Sequence, residues 1–311
     1  MWEVIRYSDA CRETWNRFVA TSRQGTFLFD RDYMDYHRSR FTDHSLLVYR
    51  KGRLFALLPG NVDHDVLWSH QGLTYGGLLT QDRATVADVC EVFEAINAYL
   101  RSQGFRRVVY KAVPWIYHRL PAEEDLYALI AICHARLTAR HVSSTLSLPR
   151  LPFRESRMSG LRKAKRTGLT VGEHTDFALF WPILTDNLHR QYDARPVHTV
   201  EEMQSLHAKF PDRIRLFMAF QEERPLAGTV VFETPQVAHT QYISASPEGK
   251  AVGALDLLFD DLLHRRYAHV RYFDFGKSSN GDGRELNHSL IFQKEGFGGR
   301  AVCYDWYEYD L

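Results

Sequence analysis

No two cysteines in this chain stand close enough to make a C-x-x-C or a zinc-knuckle spacing. The four of them, Cys11, Cys90, Cys133 and Cys303, are scattered along the sequence, so a metal site built on thiolates is not expected and no metal is assigned. They read as core filler in a reduced, cytoplasmic protein. Long apolar runs are missing too. The longest, near Tyr127–Cys133, falls far short of the roughly 20 residues that span a bilayer. The start, MWEVIRYSDACRETWNRF, carries charges every few residues and no apolar core segment, which excludes a signal peptide reading. Charge of one sign is absent as well. Lys plus Arg number 39 against 38 acidic residues, a formal net charge of +1, so the whole chain has no pull toward DNA or a membrane. There is no G-x-S-x-G elbow, HExxH, GxGxxG or Walker A motif, which sets aside the hydrolase and common nucleotide-loop readings.

What is present is an ordinary globular composition of 45% apolar and 25% charged residues over 311 positions. That length gives a soft expectation of two domains. In the first half, Ser45–Tyr49 and Leu54–Leu58 flank Lys51-Gly52 as a hairpin. Val86–Gln103 then places Val89, Val92, Phe93, Ile96 and Leu100 on one helical stripe, closed by Gly104. A strand over Arg107–Ala112 follows. In the second half, Ile214–Phe220 and Leu226–Glu233 flank QEERP as another hairpin. Val237–Ser246 is a third strand, Ala254–Tyr267 an amphipathic helix and Tyr272–Phe275 a further strand. The same order therefore occurs twice, predicting an α/β (α+β) chain of two related domains, 1–150 and 151–311.

Between the halves, Arg150–Arg166 holds seven basic residues and one acid. Such a run reads either as a solvated helix face or as a patch for a polyanion such as nucleotide phosphates, coenzyme A or RNA. In the second reading Arg162 and Lys165 bind substrate.

Two stretches could carry chemistry. In QYISASPEGKAVGALDLL, a strand enters a Gly-containing turn and then a helix. The turn is either a plain connection or an anion cradle, with backbone N–H groups converging at a helix N-terminus and Lys250 adding charge. In YFDFGKSSNGDGRELNHSLIFQKEGFGG, Asp274 sits within an aromatic strand and must find a partner or solvent. Lys294, beside Ile291 and Phe292, reads as desolvated, so it either pairs with Asp274 or meets an incoming anion.

The combination FDFG…L…FQKEGFGG after a strand–turn–helix, with LRKAKRTGLTV at Leu161–Val171, resembles the Fem-like branch of the GNAT acyltransferase superfamily. That resemblance implies two tandem GNAT-like domains, each a mixed, mostly antiparallel twisted sheet flanked by helices. The first would be degenerate and the second would carry the active cleft. It implies acetyl-coenzyme A as acyl donor, bound by Ser244, Ala245, Ser246, Gly249, Lys250, Ala251, Val252, Gly253 and Ala254. The usual loop spelling Q/R-x-x-G-x-G/A is met only loosely by Glu248–Ala254. Asp274 or His288 would be the general base, and Tyr242 would return a proton to the leaving group. The splayed strand Tyr242–Ala245 would supply an oxyanion N–H.

Tyr75, in the Gly-rich WSHQGLTYGGLL, and Tyr192, in the segment Gln191–His198, are read as lining the acceptor side with Lys294. The expected product is an N-acylated amine on a cell-envelope sugar or nucleotide-linked precursor, a small phosphorylated molecule. The alternative is a Fem-type transferase drawing on aminoacyl-tRNA to extend a peptidoglycan precursor, although no sustained heptads mark the helical arm that such enzymes often insert. A third reading is a binding module that has lost its chemistry.

Overall fold

The computed structural model describes residues 1–311, with the side chain of Tyr192 left out of that description. The chain divides into two units. The first holds Met1–Val142, Ser279–Glu285 and Cys303–Leu311; the second holds Ser143–Ser278 and Leu286–Val302. The expected cut at residue 150 between two contiguous domains therefore needs correcting, because the chain leaves the first unit after Val142 and later returns to it. The return is made by strand pairing. Trp306–Asp310 lies antiparallel to Arg107–Lys111, and a pairing partner about 200 residues away leaves no local mark in sequence.

In the first unit the hairpin Leu46–Arg50/Arg53–Leu58 forms as its alternation predicts, with Trp2–Arg6 and Leu79–Thr80 on its flanks. Its turn sets Lys51 and Gly52 at positive φ, 49° and 72°, the handedness that two-residue hairpins require. The helix Val86–Ser102 starts at a Thr85/Asp88 capping box, which satisfies backbone N–H groups that would otherwise lack partners. It buries Val89, Val92, Phe93, Ile96 and Leu100 in one apolar cluster with Val48, Leu58 and Tyr110.

The second unit is built on a sheet in the order Thr170–His174, Ile214–Gln221, Arg224–Glu233, Val237–Ala245, Tyr272–Lys277 and the end of Arg136–Ser147. Neighbours are antiparallel except Val237–Ala245 and Tyr272–Lys277, which are parallel. A parallel pair needs a crossover, and the helix Ala254–Asp261 lies within it. That helix and Glu155–Arg166 bury Ala164, Ala254, Leu258 and Phe259 with Ala219, Ala227, Val231, Ala238 and Phe273 of the sheet. The helix expected to run to Tyr267 changes at Leu262–Arg266 to π-type bonding.

Two irregularities in this sheet position the site. Parallel pairing runs only over Val237↔Tyr272, Ala238↔Phe273 and His239↔Asp274. Beyond that point the two strands diverge. On its other edge, Val237–Ala245 shifts register opposite Val230/Val231, where Thr240 faces Val231 and Tyr242 faces Val230. Gln241 is the extra residue, a bulge. Because residues alternate faces along a strand, this insertion turns Tyr242 to the same face as His239.

Candidate active site in the second unit

Asp274 is wholly buried. Its partner is His239, not Lys294. Oδ2 accepts from the His239 Nδ1 at 2.7 Å, while Oδ1 accepts from the hydroxyls of Ser143 at 2.5 Å and Thr145 at 2.7 Å. The register explains the cluster, since Asp274 stands directly opposite both His239 and Thr145 on neighbouring strands. Burial pushes the Asp274 carboxyl up, but the hydrogen bond and charge of His239 and the two hydroxyls outweigh it and bring it to about 2. A carboxylate held ionised and filled with donors is a poor proton acceptor. The general-base reading of Asp274 is therefore corrected to that of a group orienting His239.

An ionised carboxylate only accepts. It fixes the His239 proton on Nδ1, so that Nε2 is the ring nitrogen without a proton. The His239 side chain keeps 11% exposure. Gly276, in the diverging strand at φ 74°, has its missing Cβ 3.2 Å from His239 Cε1 and 3.7 Å from Nε2. Glycine there satisfies the backbone angle and keeps a Cβ from pressing on the ring.

Tyr242 stands three residues along, on the same face. Its hydroxyl accepts from the His198 backbone N–H at 3.2 Å and lies 2.7 Å from His198 Nδ1. Its ring meets Trp181 edge-on at 5.5 Å. Burial raises the Tyr242 hydroxyl to about 12, so at neutral pH it retains a proton to give.

Lys294 is buried, and its ammonium donates to the carbonyls of Gly276 at 2.8 Å and Lys277 at 2.9 Å. Of the two readings of Lys294, direct pairing with Asp274 is not seen; that carboxylate acts on Lys294 through its field. Burial pulls the ammonium down to about 8, against the opposing charge of Asp274. The folded state therefore releases this proton near pH 8, while the unfolded chain holds it to about 10.5. Over that window the unfolded state binds more protons, so Lys294 makes stability rise with pH. Lys294→Met should remove this contribution, seen as a shallower pH slope in urea unfolding between pH 8 and 10. It should also lower stability at neutral pH, because two buried carbonyls lose their donor at roughly 1–3 kcal/mol each.

Other expected site residues fall elsewhere. The turn after Val237–Ala245 is a short helix, Pro247–Val252, and several of its N–H groups already have partners. Gly249 N donates to the Ser246 hydroxyl, Lys250 N to the Ser246 carbonyl and Gly253 N to the Lys250 carbonyl. The Glu248 carboxyl is held below its usual range by its own backbone N–H and the Ser246 hydroxyl, so an acid of the chain itself sits where an anion would dock. Gly253, at φ 77°, backs onto Gly160, and Gly249 onto Leu226. Val252 and Ala254 pack on the core with Ala245, Ser244 donates to the Ile183 carbonyl, and Ala251 is exposed. The Lys250 ammonium donates to Asn187 Oδ1. Within the expected cofactor segment Ser244–Ala254, the N–H groups of Gly249, Lys250 and Gly253 are thus engaged by the chain itself.

His288 is the exposed first residue of the helix His288–Gly296, not part of the buried cluster. Tyr75 belongs to the first unit, where it is buried, meets the Tyr117 ring in a tilted contact at 4.5 Å and donates to Thr26. Its substrate role is corrected to a core contact. Arg162 pairs with Glu155, and Lys165 with Asp260 at 3.2 Å, all but Asp260 well exposed. Arg157 of the same basic run binds Asp256 at 3.0 Å. The run thus behaves in large part as a helix face tied to its neighbour. The side chain of Tyr192 lies outside the described residues. No group of three or more His, Cys, Asp or Glu able to hold a metal ion occurs among the described residues, and none of their helices is long and apolar enough to cross a membrane.

Against known proteins, residues 153–284 match a family model described as an acetyltransferase (GNAT) domain. The match takes in His239, Tyr242 and Asp274. No curated protein sequence matches the chain. Among solved structures, FemX aligns at a TM-score of 0.70 and 10% identity, covering 99% of this chain and 97% of that one. The C-terminal domain of a putative lysylphosphatidylglycerol synthetase from Agrobacterium fabrum aligns at 0.58 and 13% identity, covering 97% and 92%. L-PGS from Bacillus licheniformis aligns at 0.55 and 11%, covering 90% of each. Residues 153–284 are thereby similar to GNAT acetyltransferase domains. The fold is a pair of GNAT-like sheet-and-helix modules in one chain, of which the matched segment supplies most of the second.

Proposed function

We propose that this chain is a Fem-type transferase, moving an aminoacyl group from the ester of an aminoacyl-tRNA to an amine of a peptidoglycan precursor, with the second unit as its catalytic unit. The observation that carries the choice of donor is the Ser246–Gly253 turn, where the N–H groups of Gly249, Lys250 and Gly253 are taken up within the chain and the Glu248 carboxylate lies beside the helix start that a coenzyme A pyrophosphate would use. The fold likeness to FemX, to the C-terminal domain of a putative lysylphosphatidylglycerol synthetase and to L-PGS supports the same direction.

The chemistry follows from the cluster. The acceptor nitrogen attacks the ester carbonyl and forms the C–N bond, while its surplus proton passes to His239 Nε2. The C–O bond to the ribose breaks, and the Tyr242 hydroxyl protonates the departing oxygen. His239 then gives its proton back through solvent to Tyr242, so amine plus ester becomes amide plus alcohol. Asp274 stabilises the imidazolium that forms in between. Beyond His239, the divergence of the strands frees one backbone edge of Gln241–Ala245 from strand pairing, a place for the developing oxyanion.

The test sets two donors side by side. With radiolabelled aminoacyl-tRNA and an amine-bearing muramyl-peptide precursor, label should move to the precursor, and calorimetry with acetyl-coenzyme A should show no binding at millimolar concentration. Micromolar acetyl-coenzyme A binding with acetylation of an amine would overturn the reading. His239→Gln should melt close to wild type and lose roughly 10²–10⁴-fold in kcat/KM.

A further inference from the structure

Two nitrogens of His198, one in the backbone and one in the ring, converge on a single oxygen, the Tyr242 hydroxyl. Both side chains are buried, and the rings stand perpendicular at 5.9 Å. His198 directly precedes Thr199, whose capping box opens the helix Val200–Lys209. The position of His198 is thus set by a firm helix start, and the sequence segment ending at His198 is brought onto the catalytic strand.

A phenolic oxygen has one proton to give and lone pairs to receive with. The His198 backbone N–H can only donate, so it occupies a lone pair. The ring Nδ1 reaches the same oxygen at 2.7 Å, and the Gln241 side chain and the Val197 backbone also hydrogen-bond to it. If the Tyr242 proton pointed at Nδ1, no proton would be left for a leaving group. If Nδ1 carries the proton instead, both nitrogens donate, and the hydroxyl proton turns away from them.

We infer that His198 is a positioning residue whose Nδ1–H donates to the Tyr242 oxygen, turning the hydroxyl proton toward the leaving group. This rests on the reading of Tyr242 as the proton donor in the proposed transfer. Two donors on the oxygen also stabilise the tyrosinate that forms as the proton departs.

The direct test needs no substrate. Long-range ¹⁵N spectra of the full chain with labelled histidine report which ring nitrogen carries the proton. The His198 signals are assigned by their loss in His198→Asn or, if that variant does not fold, by through-space contacts to the Tyr242 ring. A protonated Nδ1 is the expected result, and a bare Nδ1 with the proton on Nε2 overturns the inference.

Kinetics separate this from the parent reading. His198→Asp offers only an acceptor and should draw the hydroxyl proton inward, lowering kcat for an aminoacyl-adenosine ester by about tenfold or more with KM little changed. A p-nitrophenyl ester of the same amino acid, whose leaving group needs no proton, should restore the rate. If Tyr242→Phe loses ester transfer while His198→Asp keeps it, His198 does not position the proton. If Tyr242→Phe transfers normally, Tyr242 is not the donor, and the spectra alone decide the state of His198.

Discussion

Gly253→Val should unfold the second unit at markedly lower temperature and denaturant, and should not act as a selective loss of ligand binding. Gly253 sits at φ 77°, and a Cβ there would lie 2.7 Å from the Gly160 carbonyl carbon and 3.0 Å from its Cα, with the oxygen closer still. Those atoms are helix backbone and cannot swing aside as a side chain would. A left-handed angle costs a non-glycine residue roughly 1–2 kcal/mol, and overpacking adds about 1–3 kcal/mol. The sum, roughly 2–5 kcal/mol, is a large part of the margin of an ordinary domain. Gly160 is fitted in turn, because a Cβ on it would run into the carboxylate of Asp256, the partner of Arg157. Gly253→Ala should fall between wild type and valine. A valine variant with the wild-type urea midpoint would mean that the two helices are not in contact at this point.

Asp274→Asn should leave a folded protein with transfer reduced roughly 10²–10⁴-fold. The asparagine oxygen can still accept from Ser143 and Thr145, but its amide must then point N–H groups at His239 Nδ1. That nitrogen becomes the acceptor, and the proton moves to Nε2, which can no longer take one from an amine. Asp274→Ala is the harsher change. It strands two hydroxyls and an imidazole N–H in a dry site and should cost roughly 3–5 kcal/mol.

Acid provides a second readout on the same residue. The Asp274 carboxyl is depressed from its ordinary 3.8 to about 2 in the folded protein, so its stabilisation is fully present above pH 4 and is lost as pH falls toward 2. The amount is about 2 kcal/mol. Unfolding free energies of wild type and Asp274→Asn should therefore converge across that interval, and a constant gap would contradict the depressed carboxyl.

Local patterns in the sequence were enough to place the two hairpins, the Val86–Ser102 stripe and the strands around Tyr242 and Asp274, because each depends on neighbours a few residues apart. The requirement that Asp274 find a partner was legible too, being a matter of burying a charge. The partner was not. His239 is one of 15 histidines, and only the parallel register, which no local pattern encodes, sets it opposite Asp274. The bulge at Gln241 was equally hidden, and with it the shared face of His239 and Tyr242. The helix start after Ser246 had a visible signal. Ser246-Pro247-Glu248 spells an N-cap, a proline in the first turn and an acid beside the dipole, the beginning of a helix that caps itself.

The paired end of the strand Arg300–Asp310 also bears on how the protein is made. Its partner Arg107–Lys111 is synthesised about 200 residues earlier. At about 5–20 residues per second, the ribosome needs roughly 10–40 s to deliver the missing neighbour. Throughout that interval Arg107–Lys111 has an open edge, and everything from Ser143 to Ser278 emerges and can fold in the meantime. The first unit to be translated is thus the last to be completed, and its unpaired strand is where nascent chains are most exposed to wrong partners.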